Sequence, residues 1–123
     1  MPVCRCGGLA ERGETGMSTH ILDQLWQIIE ARKNADPQES YSAALLAAAP
    51  EKPARKLAEE TTETIIEALK GDKAGISRES ADLLYHLLIL WAAAGVTPQQ
   101  VWAELAKRMG QSGHAEKAAR KPR

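Results

Sequence analysis

Two acidic clusters at helical spacing, Glu59-Glu60-x-x-Glu63 and Glu79-x-x-Asp82, constrain the fold more than any other feature of this chain. On a helix, residues three apart lie about 60° from one another, so Glu60 and Glu63 share a face, as do Glu79 and Asp82. Two such helices packed side by side aim four carboxylates at one point. That point suits a hard divalent cation and, through it, a polyphosphate.

The 123 residues are enough for one domain that buries roughly two-thirds of its unfolded surface. Phenylalanine is absent and the apolar content is mainly alanine and leucine with three tryptophans, which favours helix over strand. An all-α bundle of about five helices is expected. Sixteen basic residues balance sixteen acidic ones, so overall charge gives no reason to expect a nucleic-acid partner. The longest apolar run, Leu87 to Ala94, is far short of the ~20 residues that span a bilayer, so no membrane association is expected. Cys4 and Cys6 are too close and too few for a disulfide framework, and a reduced, cytoplasmic setting is the simplest reading.

Residues 1–17 carry four glycines and no apolar periodicity, which predicts a disordered leader, with Met17 as an alternative start. The domain is expected over 18–109. A first helix, capped by Ser18 or Thr19, carries Ile21, Leu22, Leu25, Ile28 and Ile29 and ends near Asn34. A short second helix spans Tyr41 to Ala49, and Pro50 and Pro53 bracket a rigid connector. The third is expected from Ala54 to Lys70 with Gly71 as its stop. Its wheel gathers Ala58, Thr62, Ile65, Ile66 and Leu69 on one face and Glu59, Glu60, Glu63 and Glu67 on the other.

Ser77 is the expected cap of a fourth helix that reaches Ala94 and is closed by Gly95. From Leu83 onward it is apolar nearly all round, the pattern of a helix at the centre of a bundle or in an oligomer interface. Thr97-Pro98-x-Gln100 spells the start of a fifth, with a capping box. Residues 110–123 form a basic tail, expected to be disordered.

The acidic residues have a plainer reading, a solvated face paired to Arg55 and Lys56. Against it, Glu59 with Glu63 and Glu63 with Glu67 are like charges four apart, each pair costing an isolated helix about 0.2–0.5 kcal/mol. A bound cation removes that penalty. Asp82 opens an apolar stretch, where a carboxylate must be paired, protonated or bound to metal; Arg78 is the alternative partner. An all-carboxylate set fits Mg²⁺ or Mn²⁺ better than zinc. His86, one turn after Asp82, reads as a core histidine before it reads as a ligand. Lys52, Arg55 and Lys56 lie where their charges can meet phosphate, with ordinary surface charge as the alternative.

Ser40-Tyr41-Ser42, Glu51-Lys52-Pro53, Lys56-Leu57-Ala58-Glu59-Glu60-Thr61-Thr62-Glu63 and Glu79-Ser80-Ala81-Asp82-Leu83-Leu84-Tyr85-His86-Leu87-Leu88 together resemble the phosphoribosyl-ATP pyrophosphatase family. That family belongs to the all-α NTP pyrophosphohydrolase (MazG-like) superfamily and acts in histidine biosynthesis. The resemblance covers about Ile21 to Arg108. It implies Mg²⁺-assisted hydrolysis of phosphoribosyl-ATP to phosphoribosyl-AMP and pyrophosphate by a homo-oligomer, at least a dimer, whose central helices share one core. Carried over, Glu60, Glu63, Glu79 and Asp82 are metal ligands, and Glu59 is a ligand through water or the base. Lys56 contacts phosphate, and Ser40 and Tyr41 lie on the substrate side. Ala58 departs from the family's usual glycine. Two alternatives stay open: a house-cleaning nucleotide pyrophosphohydrolase of the same superfamily, and a non-catalytic helical assembly module.

Overall fold

In the computed structural model, described here for residues 20–110, five helices follow one another without a strand: α1 (Ile21–Ala31), α2 (Tyr41–Ala47), α3 (Glu51–Lys70), α4 (Lys73–Ala94) and α5 (Pro98–Met109). The all-α expectation holds over this range. Ser18, Thr19, the leader and the tail beyond Gly110 lie outside the described residues.

Local chemistry sets the boundaries. The His20 side chain caps α1 by accepting from the Leu22 amide, and Ser40 caps α2 by accepting from Ala43 at 3.1 Å. Helix α3 begins at Glu51, three residues earlier than expected. Pro53 falls within its first turn, where no amide hydrogen is required, so the two prolines start a helix instead of forming a connector. Asp72, not Ser77, caps α4: its carboxylate accepts from the Gly75 amide at 3.1 Å. Gly71 and Gly95, at φ 73° and 78°, close α3 and α4 in the left-handed conformation that glycine adopts without strain. The capping box of α5 is present, with Thr97 and Gln100 bonding each other's backbone.

The apolar core sits to one side of α4. Leu25 and Ile29 from α1, Leu45 from α2, and Tyr85, Leu88, Ile89 and Ala92 from α4 form it, with Trp26 and Trp91 packed at its margin. Trp102 of α5 meets Trp91 at a centroid distance of 5.9 Å. Helix α3 packs along α4 as the long partner of an antiparallel hairpin, yet its buried residues are Pro53 and Glu60. Its apolar stripe faces outward: Ile65 is 53% exposed, Ile66 46% and Leu69 83%. Of the acidic face, Glu60 is buried against α4 and Glu67 is half-buried, while Glu59 and Glu63 stand exposed at its rim. Among the described residues no single helix is long and apolar enough to cross a membrane.

Candidate active site

Glu60 lies at the middle of α3, buried against α4, where Glu79 and Asp82 project one helical turn apart. Each of the three offers a carboxylate oxygen, and these oxygens lie within 4.8 Å of one another. Oε1 of Glu60 and Oε1 of Glu79 are buried and have no hydrogen-bond partner. Burial, the adjoining Glu79 carboxyl and the charges of Glu63 and Asp82 push the Glu60 pKa up to about 7. Three carboxylates so close cannot all ionise without compensation. No ion pair joins Arg78 to Asp82, so the arginine does not supply it.

These donors fit a hard divalent cation. Oxygen ligands, convergence on one point and two buried oxygens without a partner are what such an ion satisfies. Glu63 stands on the exposed edge of the group; its charge reaches Glu60, while its oxygens lie outside the tight triad. Glu67, the next acid along the face, pairs with Lys70 at 3.4 Å.

Lys56, one turn before Glu60, places Nζ 3.1 Å from Oε1 of Glu59. That hydrogen bond is the main reason its pKa is raised, and the charge of Glu60 adds to it. Arg55 lies on the outer side of α3 in a shallow groove with Ala58, Glu59, Thr62, Glu63 and Ile66. Lys52 is exposed in the first turn of α3, away from the carboxylate triad. Ser40 is half-buried at the cap of α2, and Tyr41 follows it with an exposed ring.

The sequence reading did not anticipate the aromatic group beside the triad. Tyr41 stacks on Tyr85, and His86 meets both rings at steep angles. Ser42 and Tyr85 share a buried hydrogen bond that fixes α2 to α4. His86 is buried as a core residue should be, but its Nδ1 has no hydrogen-bond partner. Burial, then the charge of Lys56, lowers its pKa, with Asp82 and Glu59 opposing. The signal in the sequence was the 43-residue interval that brings Ser42 to Tyr85, which helix periodicity cannot read.

The profile of the phosphoribosyl-ATP pyrophosphohydrolase family matches residues 22–109, which include every member of the triad. The chain belongs to this family. Relatives bearing the name phosphoribosyl-ATP pyrophosphatase include a protein of Azospirillum brasilense, 54% identical over 108 residues, covering 88% of this chain and 97% of the relative. Another, from Ruegeria pomeroyi, is 58% identical over 100 residues, 81% of this chain and 95% of the relative. The matched range of the phosphoribosyl-ATP pyrophosphohydrolase family thus coincides with α1 through α5.

Proposed function

We propose that this chain hydrolyses phosphoribosyl-ATP to phosphoribosyl-AMP and pyrophosphate in histidine biosynthesis. The observation that carries the reading is the meeting of Glu60, Glu79 and Asp82 within a family match that spans the whole helical domain. Glu60, Glu79 and Asp82 would hold Mg²⁺, with Mn²⁺ as a substitute, and Glu63 would complete the set from the exposed edge. When bound, the cation neutralises phosphate charge, lowers the pKa of a bound water and orients the leaving pyrophosphate.

The chain's own groups do the remaining work. Lys56, Arg55 and Lys52 bring positive charge to the phosphates from the start of α3. Ser40 and Tyr41 approach the substrate from α2. Water adds to a phosphorus of the α–β anhydride, the bridging P–O bond breaks, and Glu59 accepts the proton that the water loses. Its bond to Lys56 holds this carboxylate in place for that transfer.

The working form is a homo-oligomer, at least a dimer. The exposed stripe of Ile65, Ile66 and Leu69 supports this, because a second copy laid along α3 would remove it from water. The reaction belongs in the cytoplasm, where the intermediates of amino-acid biosynthesis are made and used.

Pyrophosphate release from phosphoribosyl-ATP, measured beside a panel of nucleoside triphosphates with and without Mg²⁺, tests the assignment. Glu60→Gln and Asp82→Asn are expected to abolish turnover while far-UV circular dichroism stays helical. Near-normal release by both variants would sink the site, and a preference for a plain nucleoside triphosphate would sink the substrate.

A further inference from the structure

Tyr41 is 45% exposed, an unusual state for a ring fixed so firmly from beneath. One side packs on Tyr85, with centroids 6.3 Å apart and planes 16° apart. His86 meets it at 85°, also at 6.3 Å. Both supporting residues are buried, and Tyr85 is itself tied to Ser42. The ring therefore has little freedom to lose on binding, while its outer surface is open. A rigid aromatic face of this kind stacks a planar base with sequence-tolerant affinity.

Its position relative to the carboxylates gives the face a use. His86 follows Asp82 by one helical turn, and the Tyr41 ring lies one ring separation from His86. Together these place the ring roughly 10 Å from the triad, about the reach of a nucleoside from its phosphate. Lys56, one turn before Glu60, binds Glu59 through its ammonium and interacts with the charges of both Tyr41 and His86. The phosphates would thus meet the carboxylate-held cation and Lys56, and the base the aromatic face beyond them.

We infer that the exposed face of Tyr41, braced by Tyr85 and His86, is the stacking platform for the purine ring of the nucleotide. This rests on the proposed function and assigns Tyr41 a role in it. Stacking requires a flat ring and no hydroxyl, so phenylalanine should serve where leucine cannot.

The test is binding of AMP and of ribose 5-phosphate to the full chain with Mg²⁺, followed by calorimetry, for the native protein, Tyr41→Leu and Tyr41→Phe. The native chain is expected to prefer AMP. Tyr41→Leu should lose AMP affinity on the order of tenfold and leave ribose 5-phosphate unchanged; Tyr41→Phe should recover most of the loss. Equal weakening of both ligands, or no weakening of either, overturns the platform, as does a native chain that binds the two ligands alike. Thermal melts of each variant establish that the fold is retained. Failure of the native chain to release pyrophosphate from phosphoribosyl-ATP is a separate result, which would overturn the substrate and leave the AMP comparison to be read independently.

Discussion

Glu60 shows how one buried carboxyl links stability to ligand. Its pKa stands near 7 in the folded chain against an ordinary value of 4.5. Between those values the folded state keeps a proton that the unfolded chain has released. The metal-free protein should therefore lose stability as pH rises from 4.5 to about 7, with the penalty complete above that window. Melting temperatures across this range in chelator check the sign; a metal-free protein that gains stability over the same window would contradict it. Mg²⁺ held as proposed would bind only the folded site, so it should raise the melting temperature most at the alkaline end. Glu60→Gln keeps the shape of the side chain and removes the charge. We expect it to stabilise the metal-free protein at pH 8 by about 1 kcal/mol, roughly 4–8 °C, and to abolish the Mg²⁺ response.

Helix α3 departs from the usual arrangement of an amphipathic element, with Glu60 buried against the neighbouring helix and Ile65, Ile66 and Leu69 turned to solvent. If a second copy covers this stripe as proposed, replacing Ile65 with lysine and Leu69 with glutamine should leave the protein a monomer in sedimentation. Each monomer should lose little stability, within about 0.5 kcal/mol per exposed site; an unchanged sedimenting mass would rule out this face as the contact. Helix periodicity revealed both faces of α3 from the sequence, but a wheel does not say which face is buried, and the common rule points the wrong way here. Stop signals were plain, because Gly71 and Gly95 each need a left-handed conformation. Starts were harder. Asp72 could not be told from a turn residue because Gly75 follows it, yet Gly75 belongs to the first turn of α4, where the Glu67 carboxylate fills the space a side chain would take. Acidic spacing made Glu60, Glu79 and Asp82 legible as a group, whereas Tyr41 and His86 meet through tertiary packing alone.

Taken as a molecule, the described chain gathers its apolar core around α1, α2 and the second half of α4. The hairpin formed by α3 and the first half of α4 draws little from it, since a carboxylate triad occupies the place of aliphatic packing. Amide exchange in metal-free protein should accordingly be faster over 60–80 than over 85–92, and Mg²⁺ should narrow the difference. A uniform exchange rate along α4 would count against this division. The outward stripe adds a second dependence, because a helix covered by another copy is held more firmly as concentration rises. With the proposed ion bound and the proposed second copy in place, helix α3 would be secured from outside the chain on both its faces. Scarcity of either becomes a question of the protein's lifetime: the same helix that carries Glu60 would be the first stretch offered to a protease, so an idle enzyme is also a short-lived one.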